Sequence, residues 1–472
     1  MSEAILSDNS IVCEEQQTKE WTPAKVIYTG LMAFNLLSFL WLLATGSGIE
    51  MPPIIWVARI ATAPLAVYLG KLWKDRGFQI LAIYTCLFFF RVLIPNASNI
   101  FSAEMAESIL SALWLFTGCY GLGRILNRKQ LQSLLFFCFA IWTLAMTIVG
   151  CISIYSVWTE TRFEGFGNGF IGLHGYSENG VFIGLSPRLN VIYSATISGS
   201  FFSISFLIAL IIGLAARKKM IKAAFFVALV PILITLAFTD SRTAYVSIAA
   251  GIGVIIFTKI IEITEKSEKF AKTNSWLKWL TAIGIMFLSF AIILYGMTLL
   301  TPALNQIKNQ GIIPAAYAEG TSKANLSTRS FDDLSGRTDL WIEIINYIRS
   351  SWRVMIAGVS KVAPLQHFGA YYAHCHCLYI QVLLESGIPG LLLILFFIIY
   401  TIIGSIRTIR IPDTPFWIRL LPALPISLWV GDLAECFTWL RSSQCMMIAV
   451  LFICAGIINA QHTNTKTQTS KS

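Results

Sequence analysis

Charged side chains are scarce in this sequence. Only 13% of its 472 residues are Asp, Glu, Lys or Arg, while 56% are hydrophobic. A soluble domain carries about 25% charged residues. The shortage excludes a disordered chain, a soluble enzyme with a large polar surface and an ordinary nucleic-acid-binding protein. The net charge of +10 is instead typical of cytoplasmic loops in a membrane protein, which collect Lys and Arg.

Nucleotide-binding motifs are also missing. The sequence has neither a G-x-x-x-x-G-K-[ST] motif nor a dinucleotide-binding fingerprint. We therefore expect neither ATP-driven transport nor nucleotide-sugar chemistry on the cytoplasmic side. Residues 1–20 are acidic and contain no apolar core, which indicates a cytoplasmic tail rather than a cleavable signal. Most cysteines lie singly in apolar runs, where they are typical of small core residues rather than of a disulfide framework.

The sequence contains many apolar runs that are long enough to cross a bilayer. One crossing takes about 20 apolar residues. These runs predict an all-α, polytopic transmembrane bundle of about twelve spans, with a long outward loop that contains amphipathic helices between spans nine and ten. The predicted spans are 25–45, 53–70, 77–95, 103–122, 131–157, 191–215, 221–239, 243–261, 277–300, 387–405, 414–432 and 442–460.

The distribution of Lys and Arg predicts the orientation. Basic residues follow the even-numbered spans, and the short loops on the opposite side have almost none. The positive-inside rule therefore places both termini in the cytoplasm and makes the chain a multi-pass protein of the cytoplasmic membrane. We divide the chain into a tail (1–24), nine spans (25–300), an outward catalytic loop (301–386), three further spans (387–460) and a disordered tail (461–472).

Residues 337–350 (RTDLWIEIINYIRS) form the clearest element of the outward loop. Their apolar residues recur with a helical period. Such a helix can lie at the membrane interface, a depth that suits Trp341, or it can simply pack within the loop. Both alternatives stay open at this point.

Histidines gather just before span ten. His367, His374 and His376 lie within ten residues, next to the close pair Cys375 and Cys377. One interpretation is a metal site, but the alternating H-C-H-C spacing points these side chains in different directions on any regular element. A second interpretation is a catalytic base, because histidine titrates near neutral pH. The third is an interfacial histidine that only donates or accepts a hydrogen bond.

Arginines at the predicted outer ends of spans suggest an anion site. Arg242 lies between spans seven and eight, Arg337 begins the loop helix, and Arg188 precedes span six. Guanidinium groups suit diphosphate oxygens because they bind in a bidentate manner and keep their charge. The alternatives are an ion pair with Asp240 for Arg242 and an interfacial position for Arg188. Arg59 and Arg91 lie inside spans, where pairing with Glu104 or Glu107 would be a structural role.

Three segments resemble one known family. Residues 335–341 (SGRTDLW), Gly358 and residues 376–390 (HCLYIQVLLESGIPG) are similar to the conserved end of the O-antigen ligase and polymerase superfamily. Its pattern is an Arg and a Trp that begin a helix, a glycine turn, and a His-Asn-x-Tyr-Leu-Gln run that ends in Glu-x-Gly-x-Pro-Gly. Residues 241–244 (SRTA) also resemble its Ser-Arg-[Thr/Gly]-Ala signature. The register aligns His376 with the family histidine and puts Cys377 where the family usually has Asn.

This resemblance implies an enzyme that takes a glycan from undecaprenyl diphosphate on the periplasmic or extracellular side. The acceptor is a hydroxyl of another glycan, of lipid A core or of a protein. The lipid bilayer is the third partner, and neither a metal nor a cofactor is implied as a requirement. Expected catalytic residues are His376, Arg242 and Arg337. Expected substrate-binding residues are Arg188, His374, Gln381 and Trp341.

Several alternatives stay open on sequence grounds. Twelve spans also occur in transporters, so a flippase of lipid-linked oligosaccharide is the main competitor, and a non-catalytic envelope scaffold is another. Transporters usually show repeated halves and a site near the membrane midplane, whereas here the polar residues gather in one outward loop. Ligation, polymerisation and protein glycosylation are not separated by the residues, and His374 competes with His376 for the role of base.

Overall fold

The computed structural model describes residues 21–45, 52–93, 109–159, 161, 163–166, 169–174, 188–191, 194–266, 275–309, 337–359, 375–411, 414–436 and 445–469. Helices make up most of these residues. We number them α1 Pro23–Leu37, α2 Phe39–Thr45, α3 Pro53–Gly70, α4 Arg76–Leu93, α5 Ile109–Ile125, α6 Arg128–Thr159, α7 Ala195–Ala215, α8 Lys219–Phe238, α9 Arg242–Lys266, α10 Ser275–Asn309, α11 Arg337–Ser350, α12 Trp352–Ala357, α13 Leu378–Arg410, α14 Phe416–Leu420, α15 Ala423–Gly431 and α16 Cys445–Thr469.

Among the described residues, eight helical segments are long and apolar enough to cross a membrane. They comprise α1 with the start of α2, and helices α3, α6, α7, α8, α9, α10 and α13. Three shorter apolar helices, Ile109–Ile125, Phe416–Gly431 and Met446–Gln461, cover further predicted spans, and α4 covers the third. Each predicted span therefore overlaps a helix, which supports an all-α multi-pass protein. The number of crossings stays a prediction.

The segment between α6 and α7 departs from the all-α prediction. It contains an antiparallel sheet of strands β1 (Phe163–Phe166), β2 (Gly169–His174) and β3 (Arg188–Asn190), in the order β1-β2-β3. Glycine and aromatic residues in β1 and β2 have low helix propensity, and aromatic residues favour strands. The sheet buries Ile171 and Leu189 against the bundle. The all-α prediction holds for the bundle, and this loop adds a small sheet that it did not include.

Two predicted boundaries also differ from the structure. Helix α16 continues to Thr469, through most of the tail that we expected to be disordered from Gln461. Once a helix has formed, each added residue gains a backbone hydrogen bond at little cost, so the buried part of α16 extends into its polar end. Helix α13 begins at Leu378, before the predicted span 387–405, and its backbone is non-helical at Gly387 (φ 67°), the residue at which that span was predicted to begin.

A buried polar network joins four helices at one end of the bundle. The Tyr120 hydroxyl donates to Asp75 Oδ1 (2.6 Å) and accepts from Asn459 Nδ2 (3.1 Å), and Arg124 pairs with the same Asp75 carboxylate. Asn459 Nδ2 also lies 3.3 Å from Thr401 Oγ1 in α13. Helices α4, α5, α13 and α16 are therefore held in one register, which fixes how the outward part of α13 is presented at the other end.

Helix α9 packs antiparallel to α14 and α15. Ser247 Oγ donates to the Ser427 carbonyl (2.9 Å), while Lys259 Nζ lies 3.6 Å from the Phe416 ring centroid. Residue numbers thus rise along α9 as they fall along α14 and α15. The first residue of α9, Arg242, therefore lies at the end of the bundle that also holds the turn after α15, residues 432–436.

Candidate active site

His376 lies immediately before α13 in a strained backbone conformation. Its φ is 52°, in the left-handed region that non-glycine residues seldom occupy. Two residues further along the chain, Leu378, the first residue of α13, donates its N–H to the Asp432 carbonyl (3.0 Å) in the turn after α15. Strain of this kind costs about 1–3 kcal/mol and is concentrated at functional sites. The conformation of His376 therefore depends on the packing of the loop against that turn.

Two side chains with predicted substrate contacts hold the backbone beside His376. The Trp341 indole N–H donates to the Cys375 carbonyl (2.7 Å), and the Cys375 N–H donates to Gln381 Oε1 (2.9 Å). Gln381 is buried, and its amide nitrogen donates to Glu385 Oε1 (2.7 Å). Helix α11 therefore packs on the start of α13, and whether it also lies at the membrane interface stays a prediction.

A buried carboxylate, Glu435, joins His376 to Arg337. His376 Nδ1 lies 2.9 Å from Glu435 Oε1 and 3.2 Å from Oε2, and Arg337 Nη2 donates to Oε2 (3.1 Å). Arg337 also donates through Nη1 to the Ala434 carbonyl. The side chain of Glu435 is 4% exposed and that of His376 is 24% exposed. The carboxylate is thus shielded, while the imidazole reaches the surface of the site.

This geometry specifies what the histidine can do chemically. A neutral imidazole has one N–H and one lone pair, and a carboxylate is only an acceptor. Nδ1–H therefore donates to Glu435, and Nε2 carries the lone pair. A buried carboxylate in this position orients the ring and stabilises the imidazolium that forms when Nε2 takes a proton. This geometry is compatible with the predicted role of His376 as a general base.

Arg242 begins α9 after a tightly held turn. The Tyr245 hydroxyl donates to the Ala237 carbonyl (3.0 Å) and lies 3.1 Å from Thr301 Oγ1, and Asp240 has a φ of 44°. Arg242 itself is half-buried. The antiparallel packing of α9 on α14 and α15 brings it to the same end of the bundle as Glu435. An ion pair with Asp240 remains an alternative for its role.

The other predicted site residues are only partly described. Arg188 lies in β3, with its backbone opposite His174, and its side chain lies outside the described part of the chain. His374 and His367 lie outside the described residues altogether, so the choice between His374 and His376 stays a prediction. Among the described residues, no group of three or more His, Cys, Asp or Glu side chains is arranged to hold a metal ion.

Three buried cysteines lie around the site. Burial raises the pKa of the Cys375, Cys377 and Cys436 thiols, and negative charge on Glu435 raises that of Cys436 further. A thiol whose pKa is raised stays protonated at neutral pH and is a poor nucleophile and metal ligand. We therefore assign these cysteines to packing.

Glu435 is the residue that the sequence analysis missed. A signal was present, because Asp432 and Glu435 are acidic residues at the outer end of the apolar span 414–432. Ionisable groups at such a depth are costly and are usually functional. Neither residue belongs to the motifs that carry the family resemblance.

Residues 227–395 match a family model described as O-antigen ligase. The match covers about a third of the chain and confirms the predicted resemblance to the O-antigen ligase and polymerase superfamily. We call the matched residues the O-antigen ligase domain. The match supports an O-antigen ligase-like membrane glycosyltransferase at the family level. The domain contains Arg242, Arg337 and His376 and ends before Glu435. No curated protein matches this chain.

Proposed function

We propose that this protein transfers a glycan from undecaprenyl diphosphate to an acceptor hydroxyl on the outer face of the cytoplasmic membrane. The observation that carries the proposal is the contact between His376 Nδ1 and the buried Glu435 carboxylate, because it equips an O-antigen ligase domain with an oriented base. Both termini are proposed to be cytoplasmic, and the site faces the periplasm or the exterior.

The proposed step is a single displacement. Nε2 of His376 takes the proton of the acceptor hydroxyl as its oxygen bonds to the anomeric carbon. The bond between that carbon and the diphosphate oxygen breaks, and its electron pair leaves with undecaprenyl diphosphate. Glu435 stabilises the imidazolium during this step, since its carboxylate lies against Nδ1. No nucleotide is consumed, because the lipid diphosphate is the activated leaving group.

Arginines are proposed to bind the diphosphate. A guanidinium has five N–H groups, so Arg337 retains donors for an anion beyond its bonds to Glu435 and Ala434. Arg242 supplies a second positive charge from the same end of the bundle, and Arg188 is proposed to assist. These charges stabilise the leaving group without a requirement for a metal.

The remaining predicted substrate contacts change role in this proposal. Because Trp341 and Gln381 hold the backbone of Cys375, we assign them as positioning residues for His376. His374 is retained as a proposed substrate contact. The acceptor is a glycan or lipid A core hydroxyl, and ligation and polymerisation are separated by the experiment below.

The test is transfer by the purified protein in liposomes that contain an undecaprenyl-diphosphate-linked repeat unit, without nucleotide or added metal. The variants are His376→Ala, Glu435→Gln and Arg242→Ala. We expect each to lower turnover by about a hundredfold, the usual effect of removing a base or a charge from the transition state. The matched control is Arg76→Ala. Arg76 is exposed and is the first residue of α4, at the end of the bundle opposite to His376.

The products of the assay show which acceptor the enzyme uses. Longer glycan made from the repeat unit alone indicates a polymerase, and transfer that requires lipid A core indicates a ligase. His376→Ala activity equal to that of the wild type would contradict the assignment of the base. Movement of the lipid-linked glycan across the bilayer, with no transfer to any acceptor, would contradict the enzyme and favour a flippase.

A further inference from the structure

An arginine outside the O-antigen ligase domain is buried with no carboxylate partner among the described residues. Arg59 in α3 is 0% exposed. Its guanidinium carbon lies 4.9 Å from the centroid of the Trp56 ring and 4.7 Å from that of Trp114. Both indoles lie against the guanidinium, whose N–H groups point outwards from its edges and remain the donors for hydrogen bonds.

Those edges have no acceptor among the described residues. Nε, Nη1 and Nη2 of Arg59 are all buried and have no hydrogen-bond partner there. Arginine keeps its charge at any ordinary pH. Cation–π contacts stabilise it in part, but an uncompensated buried charge costs several kcal/mol. The arrangement therefore calls for an anion that accepts several hydrogen bonds.

Other polar groups without partners lie at the same level of the bundle. The Tyr28 hydroxyl donates to the Gly118 carbonyl (2.6 Å), which sets the level of antiparallel α1 against α5. Asn35 lies seven residues after Tyr28, and Ser111 lies seven residues before Gly118. Because α1 and α5 are antiparallel, both residues lie in the same direction from the Tyr28–Gly118 contact and at a similar level. Their side-chain amide and hydroxyl groups, and the indole N–H of Trp114, are buried without hydrogen-bond partners among the described residues. Most of these groups are donors, so the ligand that suits them is rich in acceptors.

The cluster lies in the half of the bundle that holds His376. Helix α4 runs antiparallel to α13, because its start meets Thr401 through the Tyr120 network while Tyr84 lies against Gly390. Helix α3 precedes α4 by a tight turn, so its first residues lie at the end where α13 begins. Arg59 follows the first residue of α3 by about 9 Å along the helix.

The face of α3 beside Arg59 is open to the bilayer. Ile54, Val57 and Ile60 are exposed apolar side chains, and Trp56 is half-buried among them. In a membrane such side chains contact lipid tails. A lipid headgroup can therefore approach the guanidinium sideways, past Trp56, without passing through the transfer site.

We propose that Arg59 and its indole neighbours form a second site, which binds the phosphate of a membrane lipid. Phosphate matches the guanidinium edge in a bidentate manner and offers enough oxygens for the surrounding donors. The source is either undecaprenyl diphosphate or a glycerophospholipid of the bilayer, which share this chemistry. The site lies outside the O-antigen ligase domain, and the proposal does not depend on the transfer reaction.

The test is native mass spectrometry of the purified full-length protein, titrated separately with undecaprenyl diphosphate and with phosphatidylglycerol. Diacylglycerol, which lacks phosphate, is the lipid control. Both titrations use the Arg242→Ala background, so that the proposed transfer site does not contribute. We expect Arg59→Gln to weaken binding of one of the two lipids by at least about tenfold, because charge-assisted hydrogen bonds are lost. The lipid that is affected identifies the source.

Arg76→Gln is the control for loss of one positive charge, and Arg59→Lys keeps the charge while removing the planar fork. We expect a severalfold loss of affinity in Arg59→Lys and none in Arg76→Gln. Unchanged affinity of Arg59→Gln or Arg59→Lys for both lipids would overturn the proposal. A carboxylate partner within the chain would also overturn the proposal. In that case, neutralising Glu50, Glu104 or Glu107 would restore the thermal stability that Arg59→Gln loses, and lipid binding would be unaffected.

Discussion

At the scale of single residues, the site depends on one shared carboxylate. Glu435 accepts from Arg337 and from His376 with its two oxygens, and it is almost inaccessible to water. Burying an unpaired carboxylate is costly, so the arginine and the imidazole stabilise it while it orients them. Removing Glu435 therefore affects both the base and the arginine, which is why Glu435→Gln is as informative as His376→Ala in the transfer assay.

Cys377 is the residue-scale departure from the family pattern, and it permits a stability prediction. It is the N-cap of α13, with extended φ and ψ of −157° and 117°, and its sulfur, a weak acceptor, faces the backbone N–H groups of Tyr379 and Ile380 in the first turn. Asn, the usual family residue here, is among the best N-cap residues. We expect Cys377→Asn to raise stability by about 1 kcal/mol and to retain transfer, as measured by thermal unfolding in detergent.

Cys377→Ala is the matched control, since it removes the thiol without adding a cap. A melting temperature of Cys377→Asn no higher than that of Cys377→Ala would show that the side chain at this position does not cap α13.

At the scale of elements, α13 is broken where the loop meets it. Pro389 has no N–H to donate to the Glu385 carbonyl, and Gly387 adopts a φ of 67°, which interrupts the helix. The Leu384 carbonyl that this break releases accepts the N–H of Val359 (2.8 Å), just after α12. The break thus creates the acceptor that holds the outward loop on α13.

Two glycines make that contact possible. A Cβ on Gly387 would lie 2.3 Å from the Ile356 carbonyl oxygen, and one on Gly358 (φ 66°) would lie 2.3 Å from that of Glu385. We expect Gly387→Ala and Gly358→Ala to lower the melting temperature and to abolish transfer, because the loop backbone must move away from α13. The strain in φ alone costs about 1–3 kcal/mol.

Gly284→Ala in α10 is the control, since a Cβ there meets no atom within 4 Å and alanine favours a helix. Thermal unfolding and the transfer assay are measured on all three variants. Full activity of Gly387→Ala would mean that the close approach of α12 to α13 is not needed to position His376.

At the scale of the whole molecule, opposite ends of the bundle carry different polar groups. One end holds the Asp75–Tyr120–Asn459 network near basic loops, and the other holds His376, Glu435 and Arg337. The positive-inside rule predicts that the first end is cytoplasmic. The proposed donor, a glycan on undecaprenyl diphosphate, is available on the outer side of the membrane. The site can therefore bind it only if the end of the bundle with His376 faces outwards.

Labelling of introduced cysteines tests this orientation. Asn346 in α11 and Met220 in α8 are both exposed and belong to opposite ends. In a Cys13→Ser background, we expect Asn346→Cys to react with a membrane-impermeant maleimide in intact spheroplasts. Met220→Cys should react only after permeabilisation. The reverse pattern would place the proposed site in the cytoplasm, away from the predicted donor.

The amino-acid sequence was enough to predict which segments are helical and which residues resemble one family motif. Span length and basic loops are local properties, because a helix satisfies its own backbone hydrogen bonds and needs only a run of apolar residues to lie in lipid. The motifs likewise named Arg242, Arg337 and His376 from short stretches of chain. Helical period identified α11, although it did not distinguish an interfacial helix from one packed on α13.

The contacts between these residues are visible only in the tertiary structure. Glu435 lies 59 residues from His376 and 98 from Arg337 along the chain, and it reaches them because α14 and α15 return antiparallel to α9. The burial of Arg59 between two indoles and the contact of Gly358 with the broken part of α13 also depend on helix register. Register is determined by packing among distant segments, which no local period or propensity encodes.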